Sequence, residues 1–233
     1  MADVRPYTSA IILAGGAGTR FLGDKTKQKY EIAGVSVLKR TLLAFDKCDI
    51  IDEIVLVCRA DEWDFARECA LGLSKRIIVT EGGLCRAESA RRGFESVSRK
   101  DGIVMIHDAA RCLITDKDIC AVANACYTSG AASAAHTVTD TVKRVSGGAI
   151  CATVDRTELV TVATPQAFSY EIYERALESK DSAEITDDNM RVERLGVGIT
   201  PVYTSKENIK ITTNEDIALA EFILKAREGR ADS

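Results

Sequence analysis

The chain has 233 residues, of which 46% are hydrophobic, and a formal net charge of −4 that argues against a nucleic-acid partner. No apolar run approaches the 18 residues of a membrane span, and the polar start MADVRPYTS predicts no signal peptide. Eight scattered cysteines without a CxxC motif or a histidine at ligand spacing predict reduced thiols in a cytoplasmic protein.

The first predicted element is a buried parallel strand at Ala10–Leu13. Three glycines follow it, at Gly15, Gly16 and Gly18. Glycines let a backbone approach an anion closely, and Arg20 adds a forked positive charge, so the loop predicts a phosphate site. It is neither a P-loop nor a GxGxxG fingerprint, because Phe21 stands where the third glycine belongs. The alternative is an ordinary glycine-rich turn with a surface arginine.

Strands and helices alternate through the first half of the chain. Further apolar runs predict strands at Ile54–Cys58, Ile77–Thr80, Ile103–His107 and Ala131–Val138. Helical periodicity occupies Val37–Asp46, Glu62–Gly72, Arg86–Ser98 and Asp116–Tyr127. This alternation predicts an α/β fold, a mainly parallel sheet with helices on both faces. Ligands bind such sheets beyond the carboxyl ends of the strands, so three loops should converge on one crevice. These loops are Ala14–Arg20, Gly82–Arg86 and Asp108–Arg111.

The pattern changes after Val138. Thr139–Val145 and Ala149–Asp155 alternate apolar and polar residues around a Ser-Gly-Gly turn, which predicts a β-hairpin. Such a hairpin would project as an arm, at about residues 138–157, and would invite a partner subunit.

The last third of the chain predicts helices and two strands. Helices are expected at Ser169–Ser179, Thr186–Leu195 and Asn214–Arg227, and a strand pair near Ile199–Val202 and Ile209–Thr212. No repeat or linker interrupts the chain, so we expect one domain over residues 1–233 with the arm inserted in it.

Several polar residues lie at the predicted strand ends. One of Lys25, Lys27 and Lys29 could reach a ligand, although solvated lysines are common. The segment from Gly82-Gly83 to Ser89, which includes Arg86, could hold a nucleotide at a helix N-terminus or be an ordinary turn.

Asp108 ends the most hydrophobic strand and could bind magnesium or cap a helix. His107 and His136 are expected to be structural. Lys210 points away from its two flanking isoleucines, either into the crevice or to solvent. The chain has no apparent Ser-His-Asp set and no carboxylate pair, so this cationic composition favours transfer at phosphorus.

Nine motifs in chain order, from about residue 10 to 222, carry a resemblance to a known family. They are LAGGAGTR, TKQ, GGxxRxxS, HDAAR, DTVKR, TVDR, TPQAF, TDD and NIKIT. The first resembles the signature loop of the sugar-phosphate nucleotidyltransferases, and the set resembles their 2-C-methyl-D-erythritol 4-phosphate cytidylyltransferase branch.

The resemblance implies a Rossmann-like fold and a homodimer with interlocking arms. It implies that CTP and methylerythritol phosphate react, with Mg²⁺, to give the CDP-alcohol and pyrophosphate, in the non-mevalonate route to isoprenoids. Nucleotide-binding positions would be Ala14, Gly15, Gly16, Gly18, Gly82 and Ser89. Arg20 and Lys27 would stabilise the transition state, while Lys210 and Arg156 of the partner's arm would position the acceptor phosphate. The acceptor pocket would contain Asp108, which also binds the metal, with Arg111, Thr141, Thr164 and Thr186.

This chain departs from the family pattern at three positions. Proline is usual where Thr26 and Cys112 stand, and an aromatic or aliphatic residue is usual at Lys29. Other interpretations are a ribitol 5-phosphate cytidylyltransferase, a transferase of another base and a catalytically silent homologue. Ala110 and Asp155-Arg156 favour methylerythritol phosphate over ribitol phosphate.

Overall fold

The computed structural model describes residues 5–16, 26–178 and 185–231. The strands are β1 (Thr8–Leu13), β2 (Glu31–Ile32), β3 (Val35–Ser36), β4 (Glu53–Cys58), β5 (Arg76–Glu81), β6 (Ile103–Asp108), β7 (Ala131–Thr137), β8 (Lys143–Ser146), β9 (Ala149–Thr153), β10 (Val160–Ser169) and β11 (Thr200–Tyr203). The α-helices are α1 (Val37–Lys47), α2 (Trp63–Ala70), α3 (Arg86–Glu95), α4 (Asp116–Ser129), α5 (Tyr170–Ala176), α6 (Asp188–Glu193) and α7 (Asn214–Ala231).

Seven strands form one sheet in the order β11-β7-β10-β6-β1-β4-β5. The pairs among β5, β4, β1 and β6 are parallel, and so is the β11–β7 pair. Only β10 runs antiparallel to its two neighbours within the described sheet. The predicted α/β class with a mainly parallel sheet is therefore confirmed.

Helices cover both faces of this sheet, as predicted. Side chains alternate across a strand, so Ile12 of β1 packs with Phe45 of α1 and Val122 of α4. Its neighbour Ile11 packs on the opposite face with Phe94 of α3. The α/β alternation thus places the loops after β1, β5 and β6 at one end of the sheet.

One predicted strand is wrong, and strands β2, β3 and β10 were not predicted. The antiparallel strand β10 was not expected, because Pro165 interrupts its sequence and its pairing with β7 shifts between Val162 and Gln166. Ile209–Thr212 was expected to be a strand but is irregular. There Ile211 N donates to Ala110 O at 2.8 Å, which ties the segment to the loop after β6.

The expected hairpin is present as β8 and β9. Gly147 and Gly148 have φ values of 58° and 80°, which a tight two-residue hairpin loop requires. Both strands are exposed along their whole length. The hairpin is therefore confirmed, while its contact with a partner subunit stays a prediction.

Four predicted helices are shorter than expected, among them α2, which spans Trp63–Ala70 rather than Glu62–Gly72. Helix α3 ends at Glu95 rather than Ser98, and α5 ends at Ala176 rather than Ser179. Helix α6 begins after Asp187, whose carboxylate accepts from Met190 N at 3.0 Å. In the described part of the chain, no helix is both long and apolar enough to span a membrane.

Candidate active site

The loops that follow β1, β5 and β6 meet in one crevice at the carboxyl end of the sheet. A cavity of about 330 Å³ lies between them. Gly15 and Gly16 line it from the first loop, Ser89 from helix α3 and Asp108 from the end of β6. The predicted convergence is therefore confirmed.

The glycine segment after β1 is held by its neighbours on both sides. Ala14 N donates to Val57 O at 2.7 Å, and Gln28 Nε2 donates to Ala14 O at 2.7 Å. A Cβ on Gly16 would lie 3.7 Å from Lys27 Nζ, which puts that ammonium beside the glycine backbone. Two predicted site residues, Gly18 and Arg20, lie outside the described residues.

The lysines after the glycine loop have different surroundings. Lys27 lines the crevice, whereas Lys29 Nζ lies 5.4 Å from the centroid of the Phe65 ring in a cation–π contact. Lys25 falls outside the described residues. The structure thus places Lys27 in the crevice and Lys29 against an aromatic side chain.

The turn after β5 is shaped by Ser89. Gly82 N donates to Cys58 O at 2.8 Å, and Gly83 N donates to Ser89 Oγ at 3.0 Å. A Cβ on Gly83 would lie 2.3 Å from Glu88 Cγ, so only glycine fits there without displacing that side chain. Gly82 holds this turn, while Gly83 and Ser89 line the crevice.

Asp108 is the carboxylate at the centre of the crevice. Its Oδ2 lies 2.7 Å from Lys210 Nζ, and its Oδ1 lies 3.3 Å from Arg86 Nε. Burial raises the pKa of the Asp108 carboxyl, but the charges of Arg86 and Lys210 outweigh burial and hold that pKa well below its usual range. The following helix α4 is capped by Thr115, so the helix-cap interpretation of Asp108 is wrong.

Arg86 is a central side chain of the crevice; the sequence placed it in a segment that could hold a nucleotide but gave it no role of its own. Its Nη1 lies 2.7 Å from Asp188 Oδ2, and Tyr173 Oη donates to Asp188 Oδ1 at 2.6 Å. Burial lowers the pKa of Arg86, but Asp188 and Asp108 together raise it above its ordinary value. A cation in the first turn of a helix is unfavourable because it opposes the helix dipole. Arg86 at the start of α3 could therefore have been predicted to have carboxylate partners.

A second cavity of about 150 Å³ adjoins the first. Three residues line both cavities, namely Arg86, Asp108 and Lys210. Arg111, Thr164 and Thr186 line only the second. Three of the predicted acceptor residues are therefore brought next to Asp108 and Lys210.

The walls of the second cavity are fixed by buried hydrogen bonds. Asp108 N donates to Thr164 Oγ1 at 3.1 Å, and Asp188 N donates to Gln166 Oε1 at 3.0 Å. The amide Nε2 of Gln166 donates to Asp187 Oδ2 at 3.0 Å. Gln166 was not predicted to be a site residue, because a glutamine next to a proline in a strand carries no specific sequence signal.

Both histidines have structural surroundings, as expected. His107 is fully buried, with Nε2 3.1 Å from Arg111 O and Nδ1 3.2 Å from Thr164 Oγ1. Burial lowers the pKa of His107 to about 4, so the ring is neutral near pH 7. His136 Nε2 lies 3.2 Å from Ser205 O.

Two predicted site residues lie on or beside the arm. Thr141 and Arg156 are exposed, and Arg156 Nη1 donates to Thr139 O. Among the described residues that line the two cavities, neither is present. In a single chain, the arm therefore contributes neither residue to the crevice.

The unusual threonine at position 26 makes a contact that proline could not make. Its Oγ1 donates to Glu62 Oε1 at 2.5 Å, and Glu62 is buried. Cys112, the other site of a missing proline, is buried, and burial raises the pKa of its thiol to about 11.

The crevice as a whole combines several cations with one central carboxylate. Lys27, Arg86 and Lys210 line the larger cavity, and Arg111 lines the smaller one. Fixed cations of this kind stabilise charge that develops on phosphate oxygens. The arrangement can bind two phosphorylated ligands side by side, with Asp108 at their border.

Comparisons with known proteins agree over nearly the full length. The family model for 2-C-methyl-D-erythritol 4-phosphate cytidylyltransferase matches residues 8–226. The enzyme of that name from Syntrophus aciditrophicus is 42% identical and covers 97% of this chain and 100% of its own length. That from Alkaliphilus oremlandii is 39% identical, over 96% of this chain and 98% of its own. The crystal structure of 4-diphosphocytidyl-2C-methyl-D-erythritol synthase from Anaerococcus prevotii superimposes with a TM-score of 0.82 at 30% identity, over 94% of this chain and 96% of its own.

Proposed function

The chain belongs to the 2-C-methyl-D-erythritol 4-phosphate cytidylyltransferase family, and on that premise we propose that its crevice transfers the cytidylyl group of CTP to 2-C-methyl-D-erythritol 4-phosphate. The chain is an enzyme of the nucleotidyltransferase class, and this reaction belongs to isoprenoid precursor biosynthesis. The observation that carries the proposal is the pair of adjoining cavities that share Arg86, Asp108 and Lys210.

The reaction exchanges one phosphorus–oxygen bond for another. A phosphate oxygen of the acceptor attacks the α-phosphorus of CTP, the bond from that phosphorus to the bridging oxygen breaks, and pyrophosphate leaves. A phosphomonoester is mostly dianionic at pH 7, since its second pKa is about 6, so the nucleophile needs no general base. This agrees with His107, which is buried and hydrogen-bonded rather than open to the crevice.

The larger cavity suits the nucleotide. The backbone of Gly15 and Gly16 can approach the triphosphate closely, and Lys27 lies beside it. Ser89 is placed to contact the nucleotide from the start of helix α3. We assign to Lys27, with Arg20, the stabilisation of the charge that builds up at the α-phosphate.

The smaller cavity suits the acceptor. Lys210 and Arg111 can neutralise the acceptor phosphate, while Thr164 and Thr186 offer hydroxyl groups to the alcohol. Lys210 is held by Asp108 at 2.7 Å, so its ammonium lies at the border of the two cavities, where the attacking phosphate must lie. Thr141 and Arg156 complete this pocket only if a partner's arm supplies them.

The residues also fit the magnesium ion that the family implies. Mg²⁺ takes oxygen ligands and is commonly held by one or two carboxylates together with substrate phosphates. Asp108 supplies such a carboxylate in the crevice, and the low pKa of its carboxyl keeps it ionised. When bound, the ion would neutralise negative charge on the triphosphate.

We also propose that the protein acts as a homodimer in a reducing, cytoplasmic compartment. The arm presents exposed Val145 and Ile150, and apolar side chains on an isolated hairpin favour burial against a partner. All eight cysteines are free thiols, which suits a reducing environment.

Label transfer tests the proposed reaction. With CTP labelled at the α-phosphorus and methylerythritol phosphate as acceptor, the label should enter the CDP-alcohol and be absent from pyrophosphate. UTP and GTP at the same concentration should give little product. Label in free CMP, or equal transfer from all nucleotides, would contradict the proposal.

A further inference from the structure

A cluster of two thiols and one carboxylate lies outside the two cavities, between helices α1 and α4. Cys48 caps the C-terminus of helix α1, and Asp116 and Cys120 lie four residues apart on helix α4. Cys48 Sγ is 3.7 Å from Cys120 Sγ, which is 3.7 Å from Asp116 Oδ1. All three candidate ligand atoms lie within 4.8 Å of one another.

The two distances of 3.7 Å match edges of a tetrahedral metal site. With Zn–S bonds of about 2.3 Å and Zn–O bonds of about 2.1 Å, a tetrahedron has S···S and S···O edges of about 3.8 and 3.6 Å. A disulfide would instead require its sulfurs to be about 2.05 Å apart. The thiols are therefore not a covalent pair; their spacing is that of thiol hydrogen bonds and equally that of two ligands of one ion.

We propose that Cys48, Cys120 and Asp116 bind a thiophilic divalent cation of the Zn²⁺ class, with water at the fourth position. Soft thiolates favour such ions over Mg²⁺. Cys48 is buried, Cys120 is half-buried and Asp116 is exposed, so the ion can enter from solvent on the carboxylate side.

Binding is an acid–base exchange without oxidation. Two S–H bonds break, two Zn–S bonds and one Zn–O bond to the carboxylate replace bonds from the hydrated ion to water, one water stays bound, and two protons pass to solvent. The resulting unit has a net charge of −1, which is favourable at the N-terminus of α4, where Asp116 is the first residue.

The ion would join two elements that support the active-site loop. Helix α1 carries Thr41, whose Oγ1 donates to Ala109 O at 2.7 Å, directly after Asp108. Helix α4 follows the same loop in the chain. We therefore expect a stabilising effect on the fold and no part in the transfer reaction itself.

Cadmium titration of the reduced full-length protein tests the proposal, because Cd²⁺–thiolate charge transfer is seen by ultraviolet absorption. Wild-type protein should bind one ion per chain at the cluster. Cys120→Ala and Asp116→Asn, both at accessible positions, should each lower the affinity at least about 10-fold. Cys126→Ala, which removes a buried thiol of the same helix outside the cluster, should bind like wild type.

Zinc gives a second readout. Added Zn²⁺ should raise the thermal unfolding midpoint of wild type and of Cys126→Ala but not that of Cys120→Ala. Equal cadmium affinity in wild type and Cys120→Ala, or wild-type protein without thiolate absorption, would overturn the proposal.

Discussion

Arg86, Asp108 and Lys210 form the charge centre of the crevice. Arg86 bridges Asp108 and Asp188, and Lys210 contacts the other oxygen of Asp108. Asp188 is fully buried, so removing the arginine would leave it without its cation. We therefore interpret Arg86 as a positioning residue that sets the acceptor cavity through these two carboxylates.

Substitution of Arg86 tests this positioning role. Arg86→Gln should raise the KM for the acceptor at least about 10-fold, because a misplaced reactive group costs about that much or more. Arg86→Lys should recover part of the loss, since a lysine can contact one carboxylate but lacks the fork that reaches both.

Steady-state kinetics with each substrate varied separately would measure this effect. A control on the same helix is Glu95→Gln, at an exposed position that lines neither cavity. An unchanged acceptor KM in folded Arg86→Gln would remove the role assigned to Arg86.

Substitution of Lys27 tests its proposed role in stabilising the transition state, and substitution of Lys29 is the matched control. Lys27→Ala should lower kcat at least about 100-fold, because it removes a cation beside the α-phosphate. Arg20→Ala should have a similar effect. Lys29→Ala should change kcat little, since that side chain lies on Phe65. Near-wild-type turnover of Lys27→Ala would show that another cation does this work.

His107 should make stability depend on pH. Burial lowers its pKa to about 4, against about 6.5 in the unfolded chain. Between these values the unfolded chain binds a proton that the folded chain does not, so the free energy of unfolding falls as pH falls from about 6.5 to about 4. The full loss is about 3 kcal/mol.

Urea unfolding of wild type and His107→Gln across this pH window measures the effect. The difference between the two proteins isolates His107, because His136 is present in both. We expect wild type to lose stability relative to the variant as pH falls. A constant difference would mean that His107 does not titrate in this way.

At the level of elements, helix α3 packs closely on the sheet at Gly93. A Cβ there would lie 2.4 Å from Ile11 Cγ2 and 2.8 Å from Val57 Cγ2. Gly93→Ala should therefore lower the free energy of unfolding by about 1–3 kcal/mol, despite the better helix propensity of alanine.

Gly229 provides the control for this prediction, because it is a helical glycine without close neighbours. It lies in α7, and a Cβ there would have no neighbour within 4 Å. Gly229→Ala should raise stability by up to about 1 kcal/mol through propensity alone. Chemical denaturation compares both variants, and an unchanged Gly93→Ala midpoint would contradict the close packing.

Sequence patterns predict those strands and helices whose hydrophobic pattern reflects how they are buried in the fold. Strands β1, β4 and β6 are buried on both faces and read as apolar runs, so they could be found. Strand β10 could not be found in this way, because its first three residues are exposed and Pro165 interrupts the rest. The alternation around Lys210 left open whether its side chain faces the crevice or solvent, and only the resemblance gave it a site role. Its segment is held by Ala110 rather than by a strand.

The sequence predicted which loops converge, but it could not predict which individual side chains of distant segments pair with each other. Arg86 meets Asp188 across 102 residues, and Cys48 meets Cys120 across 72. Neither spacing forms a local motif, so only the folded chain brings these side chains together. Sequence spacing alone had argued against a metal site among the cysteines.

At the level of the whole molecule, two residues predicted for the acceptor pocket, Thr141 and Arg156, line neither cavity of a single chain. If Arg156 acts across a dimer, the inactive variants Arg156→Ala and Lys210→Ala should complement each other. Random mixing makes half of the dimers mixed, and each mixed dimer has one intact site, so activity should return to about a quarter of wild type.

Subunit exchange followed by turnover and sedimentation would measure complementation. Each variant carried through exchange alone is the control and should stay inactive. Mixed dimers without recovered activity, or a fully active monomer, would show that Arg156 does not act in trans.

The most direct test of the central claim is pyrophosphate release with CTP and Mg²⁺, compared between 2-C-methyl-D-erythritol 4-phosphate and ribitol 5-phosphate. We predict release with the first acceptor only, and loss of that signal in Lys27→Ala. Release with ribitol 5-phosphate alone would contradict the assigned substrate. No release with either acceptor from folded wild-type protein would contradict the assignment of this crevice as a cytidylyltransferase site.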